Sequence, residues 1–277
     1  MDISVHPGDH DGPFPNFRQP MILGHFSLNG DREFIKDMSG LQYLYTRRDA
    51  RVKLDLDHNL NLARKSIPEK EKEKINNLLR GVLSYKNKFT VGERLDNLNT
   101  DVVCFRLVPL ETGHFFRHIL DLFRGLLTTI MCTPYERRDD WIMEVVRWRG
   151  TMYLVQVDTE KRRREKLQET PRQRQMSSWG YKFEQLMTSP EPGLSPDAEA
   201  PVDENEEFCC LFRTRINGTS IVYGAEMDAY KADKRLQEKE ALHPDNFVEM
   251  KTSRIIEHER QDRNFRLEII FATKSFI

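Results

Sequence analysis

Two short segments of the chain each place two charged side chains one position apart within a strand-like run. GAEMDAY carries Glu226 and Asp228, and FVEMKTS, about twenty residues later, carries Glu249 and Lys251. Side chains at positions i and i+2 of a strand share a face and lie roughly 7 Å apart. If the two runs pair with each other, three carboxylates and one ammonium converge on one patch.

Such a patch suits metal-assisted hydrolysis of a phosphodiester. Clustered carboxylates repel one another and raise each other's pKa unless a cation neutralises them. Mg²⁺ and Mn²⁺ prefer carboxylate oxygens and retain water molecules for chemistry. Lys251 beside the metal would polarise an attacking water or offset charge on a phosphate. The alternative is a solvated strand face with cross-strand Glu–Lys pairs, and the spacing alone leaves that alternative open.

The residues around these charges favour a partly buried site. Gly224 and Ala225 are small and permit close approach of a ligand or of another backbone. Apolar residues flank Glu249 and Lys251, so we expect a half-buried strand in which an unpaired charge is costly.

A fourth acid lies upstream in the segment MSSWGYKFEQLM. Apolar residues at helical spacing mark one side of a helix predicted for 172–188, and Glu184 lies close to that side. It either points into the same site or lies on the helix surface, as most helix acids do.

The elements that must position these residues include both strands and helices. Strand-like runs are predicted at 21–35, 100–110, 208–216, 219–229 and 246–252, with a hairpin at 139–159 that turns at Arg149-Gly150. Helices are predicted at 68–87, 172–188 and 255–277, and the apolar run at 113–131 is a helix or a strand, with a helix favoured. In the hairpin, Trp141, Trp148 and Tyr153 are expected in a sheet core rather than on a base-stacking platform.

Three segments are expected to lie outside this framework. Residues 1–20 are polar and rich in Pro and Gly, which predicts an N-terminal tail. Residues 190–207 are Pro-rich and acidic, which predicts a solvent loop. The basic run EKRRREK (160–166) is a solvated loop, a nuclear-localisation signal or an RNA contact.

Composition excludes several classes of protein. Lys and Arg number 43 against 44 acids, for a net charge of −1, so the chain is not a globally basic nucleic-acid binder. A local basic groove remains open, because net charge does not report its distribution. No run has transmembrane length and the start is no signal peptide, so we expect no membrane partner. Four cysteines without CxxC spacing predict reduced core thiols of the cytosol or nucleus.

Five ordered blocks of the sequence resemble the decapping exoribonuclease (DXO) family of RNA 5′-end quality-control enzymes. The blocks are LGHFSLNGDREFIKDMSGLQYLY, FRGLLTTIMCTPYERRDDWIMEVVRWRGTMYLVQV, WGYKFEQLM, GAEMDAY and FVEMKTS. The resemblance runs from about residue 17 to 253, and more weakly to 277. It implies a mixed α/β fold, a single domain over 21–277 with sheets flanked by helices around a nuclease-like metal cleft. Family members continue where this chain ends at Ile277, so we expect the C-terminal part of the family fold to be missing.

The resemblance also implies roles for individual residues. Two divalent ions, Mg²⁺ or Mn²⁺, would be held by Glu184, Glu226, Asp228, Glu249 and the backbone carbonyl of Met250. Glu226, Asp228, Glu249 and Lys251 would be catalytic, with Lys251 matching the family's active-site lysine. The RNA 5′ end would be contacted by Arg124, Glu184, Lys251 and Lys274. Lys274 stands where the family has a glutamine, which alters hydrogen bonding and adds charge.

The activity implied by the resemblance is removal of incomplete or non-canonical caps from RNA 5′ ends. Members act on triphosphate, unmethylated-cap or NAD-capped ends, and several then degrade RNA in the 5′→3′ direction. We therefore expect an RNA decapping hydrolase in the nucleus, with the cytoplasm as an alternative. A nuclear 5′→3′ exoribonuclease is an expected partner. The alternatives are an inactive RNA 5′-end binder or exoribonuclease scaffold, favoured by Lys274 and the short C-terminus, and a metal nuclease acting on DNA.

Overall fold

The computed structural model describes residues 13, 15–46, 54–67, 73–89, 98–105, 126, 129–130, 133, 140–252 and 257–259. Within these residues the architecture is mixed α/β, as the resemblance implies. The strands in chain order are β1 (Phe17–Leu28), β2 (Phe34–Ile35), β3 (Tyr43–Leu44), β4 (Val102–Phe105), β5 (Ile142–Trp148), β6 (Thr151–Val157), β7 (Thr188–Ser189), β8 (Glu207–Ile216), β9 (Thr219–Glu226), β10 (Ala229–Tyr230) and β11 (Phe247–Val248).

In this described part of the chain, the larger sheet has seven strands in the order β2–β1–β8–β9–β4–β6–β5. The β1–β8, β8–β9 and β5–β6 pairs are antiparallel, whereas β4 runs parallel to both β9 and β6. The β5–β6 hairpin is the one predicted at 139–159. Its turn has positive φ at Arg149 and Gly150, which matches the twist of the flanking strands.

The smaller sheet orders its described strands β11–β10–β3–β7. Strand β10 pairs with β11 in antiparallel fashion, with Ala229 opposite Val248 and Tyr230 opposite Phe247. The pairing predicted between the GAEMDAY and FVEMKTS runs is therefore confirmed. Strand β10 also pairs in parallel with β3, whose other neighbour is β7.

The described α-helices are α1 (Asn76–Ser84), α2 (Glu160–Leu167), α3 (Pro171–Ser177) and α4 (Trp179–Met187). The prediction of a single helix at 172–188 is wrong, because this segment forms two helices, α3 and α4, which are separated at Ser178. The N–H of Ser178 donates to the carbonyl of Gln175, three residues back, and its hydroxyl is engaged by a carboxylate outside the helix. Helix α1 is also shorter than the helix predicted at 68–87.

The basic run at 160–166 is helical, so the loop alternative is wrong in conformation, although none of these residues is buried. Thr159 caps α2, since its side chain accepts a hydrogen bond from the N–H of Arg162. Glu160 lies in the first turn, while Arg164 and Lys166 lie in the last. This distribution of charge complements the helix dipole at both ends.

Apolar cores cover both faces of the larger sheet. The core between the two sheets joins Tyr230 and Phe247 of the smaller sheet to Phe208 and Tyr223 of the larger one. On the opposite face, Leu78 of α1 packs with residues of β1, β8 and β9. The described cysteines, Cys104, Cys209 and Cys210, are free and buried in these cores, as predicted.

The N-terminal tail predicted for residues 1–20 is too long, because β1 begins at Phe17. Proline lacks a backbone N–H and is tolerated in strands mainly at edges or irregularities. Pro20 meets this condition, since the β1–β8 register shifts between Arg18 and Met21.

The solvent loop predicted for 190–207 is wrong at its C-terminal end. Glu204 and Asn205 are buried, and β8 already begins at Glu207. The N–H of Arg64 donates to the carbonyl of Val202, and the N–H of Glu204 donates to the carbonyl of Arg64. A distant segment therefore pairs with this stretch and takes it out of solvent.

The core position predicted for Trp148 is also wrong. Its side chain is 61% exposed, because β5 forms the edge of the larger sheet. Trp141 and Tyr153 are partly buried, and Tyr153 packs against the core beneath α1.

The helices predicted at 113–131 and 255–277 lie almost entirely outside the described residues. Among the helices that the structure does describe, none combines the length and apolarity needed to cross a membrane.

Candidate active site

The chain changes sheets between two of the predicted site residues. Strand β9 ends at Glu226, opposite Cys209 of β8, and the next N–H, that of Met227, donates to the carbonyl of Phe208. Strand β10 then begins at Ala229 in the smaller sheet. Asp228 thus lies at the crossover, and the prediction that Glu226 and Asp228 lie on one face of a continuous strand is wrong.

The second pair of charges follows directly after β11. Because Ala229 is opposite Val248, the antiparallel register brings Glu249 to the level of Asp228. The N–H of Met250 donates to Oδ2 of Asp228 at 2.6 Å, which ties this segment to the crossover. The strand predicted at 246–252 therefore ends at Val248, and its charged residues lie in the irregular segment beyond it.

Lys251 lies against two of the acids. Its Nζ is 2.6 Å from Oε1 of Glu249 and 3.9 Å from Oδ2 of Asp228. The side chains of Asp228 and Glu249 are only 8% and 12% exposed. Burial alone would lower the pKa of Lys251, but the charges of Asp228 and Glu249 outweigh it and raise that pKa. The ammonium therefore stays protonated at neutral pH.

Glu184 of α4 belongs to the same electrostatic cluster. Burial, and then the charges of Asp228 and Glu226, raise the pKa of Glu184 well above its usual range, while Lys251 opposes the shift. Helix α4 leads directly into β7, at the edge of the smaller sheet that also holds β10. This connection delivers the Glu184 carboxyl to the crossover between the sheets.

Sequence reasoning missed a buried ion-pair network next to these acids. Arg32 bonds Glu73 at 2.7 Å and Glu207 at 3.0 Å, and its side chain is 5% exposed. The Cys209 thiol lies 4.0 Å from Oε2 of Glu207, and Cys209 is opposite Glu226 in the β8–β9 register. Burial, reinforced by the charges of Glu207 and Glu226, raises the pKa of this thiol. Arg32 thus neutralises an additional acid beside Glu226. No local pattern in the sequence indicates this contact, because the partners are far apart along the chain.

A second group that sequence reasoning missed anchors the start of α4. Ser178 donates to Oε1 of Glu204 at 2.5 Å, and Nζ of Lys65 lies 2.9 Å from the same oxygen. Lys65 also contacts the Ser178 hydroxyl. The N–H of Ser66 donates to the other oxygen of Glu204 at 3.1 Å. These contacts fix the end of the helix that carries Glu184.

Gly224 has a packing role in place of the ligand approach that the sequence suggested. A Cβ at this position would lie 2.8 Å from the ring of Phe105 and 3.2 Å from Leu78. The missing side chain therefore admits an aromatic ring against β9, two residues before Glu226.

The donor chemistry of the cluster fits a hard divalent cation, because its acids present only carboxylate oxygens. The acidic side chains of the cluster are not arranged around a single ion, however. Within the described residues, no three or more His, Cys, Asp or Glu side chains are placed so that they could hold a metal. Lys251 is the cation that contacts Asp228 and Glu249 in this arrangement. Arg124 and Lys274 lie outside the described residues.

The fold and the acidic cluster with its lysine define a nuclease class. A family model described as "RAI1 like PD-(D/E)XK nuclease" matches residues 18–108 and 121–272, which is most of the chain. The chain belongs to this family. Glu249-Met250-Lys251 has the acid-x-Lys spacing that the family's description names.

Curated relatives agree with the family assignment. The human "Decapping and exoribonuclease protein" is 30% identical over 267 residues, which cover 95% of this chain and 61% of that protein. The Drosophila melanogaster "Decapping and exoribonuclease protein Rai1" is 29% identical over 272 residues, covering 95% and 68%. The chain thus spans about three fifths of the length of its mammalian relatives.

Solved structures show the same fold. Candida albicans Rai1 in complex with pU5-Mn²⁺ superposes with a TM-score of 0.71 at 23% identity, covering 94% of this chain and 65% of that one. Scheffersomyces stipitis Rai1 in complex with (3′-NADP)⁺ and a calcium ion gives a TM-score of 0.68 at 24% identity, covering 92% and 65%.

Proposed function

We propose that this protein is a metal-dependent hydrolase that acts at the 5′ end of RNA. The observation that carries the proposal is the Lys251 ammonium held by Glu249 and Asp228, with Glu184 and Glu226 coupled to the same cluster. The names of the relatives support the reaction class, since several are called decapping nucleases. The Candida albicans relative, described with pU5 and Mn²⁺, supports the substrate and the metal.

In this proposal Mg²⁺ or Mn²⁺ would be held by Glu184, Glu226, Asp228, Glu249 and the carbonyl of Met250. A bound ion would supply Lewis-acid polarisation of the phosphate and a water that is a stronger nucleophile at neutral pH. Because Lys251 contacts Glu249 in the metal-free protein, Glu249 would release Lys251 in order to hold an ion. The hydrogen bond from the N–H of Met250 to Asp228 ties the two acidic segments together.

Lys251 has a distinct task in the proposed reaction. Because its pKa is raised, its ammonium remains charged beside the scissile phosphate. There it offsets the negative charge that develops on phosphate oxygens in the transition state. It also stabilises the apo site, where it is a cation that contacts Asp228 and Glu249.

The finer assignments are part of the same proposal. The substrates are triphosphate, unmethylated-cap and NAD-capped RNA, with 5′→3′ degradation as a following step. Arg124 and Lys274 grip the RNA 5′ end. The protein acts in the nucleus, where a 5′→3′ exoribonuclease is its partner. The resemblance of the sequence blocks supports these assignments except that of Lys274, which stands where the family has a glutamine.

A second candidate is an RNA 5′-end binder without turnover. Glu249 is engaged by Lys251 at 2.6 Å, and the described acids form no three-ligand group. A protein fixed in this arrangement would bind RNA without a divalent metal and would hydrolyse nothing.

The deciding experiment incubates the purified protein with 5′-labelled RNAs that bear triphosphate, unmethylated-cap, NAD or monophosphate ends. Each reaction is run with Mg²⁺, Mn²⁺ or EDTA, beside the Glu226→Ala/Asp228→Ala variant. The proposal expects metal-dependent release of an end group that the variant loses. No turnover on any end by folded protein overturns the hydrolase and leaves the binder.

A further inference from the structure

The basic helix α2 follows β6 and begins near the carboxyl end of that strand. The acidic cluster lies at the same end of the parallel strands of the larger sheet. Leu154 of β6 and Tyr223 of β9 both pair with Cys104 of the parallel strand β4. Val157 lies three residues after Leu154, and Glu226 lies three residues after Tyr223, so Val157 and Glu226 are level with each other. Two strand spacings, or roughly 10 Å, separate these two residues.

The chain returns to the cluster after α2 and α3. Helix α4 follows, and its Glu184 responds to the charges of Asp228 and Glu226. The segment between Val157 and Glu184 thus has both ends at the acidic cluster. Helix α2 starts three residues after Val157 and is roughly 12 Å long.

The charge of α2 differs sharply from that of the whole chain. Its eight residues contain five basic side chains and two acids, whereas the complete chain carries a net charge of −1. The bonds from Arg163 and Arg164 to Glu160 are 3.6 and 3.8 Å long, and the two arginine side chains are 55% and 76% exposed. Such exposed pairs are weak and leave the guanidinium groups accessible to a polyanion.

Packing does not account for this helix. None of its residues is buried, and Leu167 at its end is 87% exposed. A helix that is polar on all sides contributes no apolar face to either core. Its position and charge are therefore the features that need a physical explanation.

We propose that α2 binds the phosphate backbone of single-stranded RNA downstream of the 5′ end held at the acidic cluster. This proposal rests on the proposed function. The described side chains of the cluster are mostly acids, which cannot pair with the phosphates that extend beyond the reacting linkage. The exposed arginines of α2 would neutralise those phosphates without reading the bases.

The test measures equilibrium binding of a long 5′-phosphorylated oligouridine in EDTA, which prevents hydrolysis. The variant is Arg163→Gln/Arg164→Gln, since glutamine preserves helix propensity and neither side chain is buried. For single strands the salt exponent is about 0.7 per neutralised phosphate. Loss of two contacts therefore raises the dissociation constant roughly 25-fold in about 0.1 M salt and reduces the salt slope by about 1.4.

The matched control removes two exposed arginines at the opposite end of the sheet. Arg215 is opposite both Arg18 and Ser220, and Ser220 lies six residues before Glu226, or roughly 20 Å away. The Arg18→Gln/Arg215→Gln variant is expected to bind like the unaltered protein. A 5′-phosphorylated dinucleotide, which lacks the downstream phosphates, is expected to bind both variants equally.

Unchanged binding of the long RNA by the α2 variant would overturn the proposal, and so would an equal loss in the control variant. These outcomes are separable from failure of the hydrolase. If no 5′ end is hydrolysed but the α2 variant loses affinity, the RNA contact stands and the catalytic proposal alone fails. If hydrolysis is metal-dependent and the α2 variant binds normally, the catalytic proposal stands and the proposed RNA contact of α2 fails.

Discussion

The ammonium of Lys251 lies 2.6 Å from a carboxylate oxygen of Glu249, two residues away and just beyond the end of β11. Both side chains are largely shielded, at 28% and 12% exposure. Loss of either partner would leave a charge that is poorly solvated, which makes this pair a sensitive point of the apo protein.

We expect Lys251→Met to lower the free energy of unfolding by about 2–4 kcal/mol at neutral pH without metal. Without the ammonium, the carboxylates of Glu249 and Asp228 lose the cation that contacts them in a poorly solvated position. Their negative charge is then costly wherever these carboxylates are ionised. Urea denaturation in EDTA is expected to show a small difference from the unaltered protein near pH 4 and a larger one at pH 7. Lys234→Met, at an 80% exposed lysine, is the control that should change little.

We expect Glu184→Gln to stabilise the metal-free protein at neutral pH. The pKa of Glu184 is raised in the folded state, so the fold favours its protonated form. The stability tied to that proton is fully present below the ordinary carboxyl pKa and is lost as pH rises through the folded value. Thermal unfolding in EDTA should therefore favour the variant at pH 7 and show no difference at strongly acid pH.

The same variant should respond less to metal. Ligands that bind only the folded state raise its melting temperature. If Glu184 holds an ion, added Mn²⁺ stabilises the unaltered protein more than the variant. Equal stabilisation of both proteins would remove Glu184 from the metal site.

We expect Gly224→Ala to destabilise the protein by about 1–3 kcal/mol, because the new methyl group must displace the ring of Phe105. Gly218→Ala is the matched control, since a Cβ there meets nothing within 4 Å. Urea denaturation of both variants checks this prediction. Similar midpoints for the two variants would show that the ring moves aside without cost.

The buried cysteines should resist alkylation in the folded protein. Burial raises the pKa of Cys104 to about 12 and also raises the pKa values of Cys209 and Cys210. The thiolate that reacts with iodoacetamide is therefore scarce near pH 8. Mass spectrometry should find these sites unlabelled without denaturant and labelled in urea. Equally fast labelling under both conditions would contradict the buried positions.

The parts of the fold that the sequence predicts correctly depend on local signals. The hairpin over β5 and β6 follows from strand-forming residues on either side of Arg149-Gly150. The pairing of β10 with β11 follows from two short runs with matching charges. In each case the information lies within a few neighbouring residues, so no knowledge of the strand order is needed.

The predictions that are wrong concern segments whose structure depends on contacts between residues far apart in the sequence. Trp148 is exposed because β5 is an edge strand, and only the complete strand order shows this. Glu204 is buried by contacts with Lys65 and Ser66, which lie more than 130 residues away in sequence. The change of sheet after Glu226 likewise reflects the packing of β10 on β3. Local patterns alone predicted a buried Trp148, a solvent-exposed Glu204 and a continuous strand through Asp228.

The site residues show the same difference between what local spacing predicts and what distant contacts determine. Glu226, Asp228, Glu249 and Lys251 are recognisable from their spacing, and the structure brings them together with Glu184. The sequence did not predict how their side chains are arranged. A metal was expected beside Asp228 and Glu249, whereas in the structure Lys251 contacts both carboxylates. The supporting residue Arg32 also escaped notice, since its partner Glu207 is 175 residues away.

The most direct test of the central claim is anomalous diffraction at the manganese edge from crystals of the protein grown with Mn²⁺. We predict an anomalous peak bounded by Glu226, Asp228, Glu249 and Glu184, with Lys251 turned from Glu249 toward the substrate side. The Glu226→Ala/Asp228→Ala variant should lack that peak. A peak elsewhere, or an intact Lys251–Glu249 pair with no manganese beside it, would contradict a metal-dependent active site at this crossover.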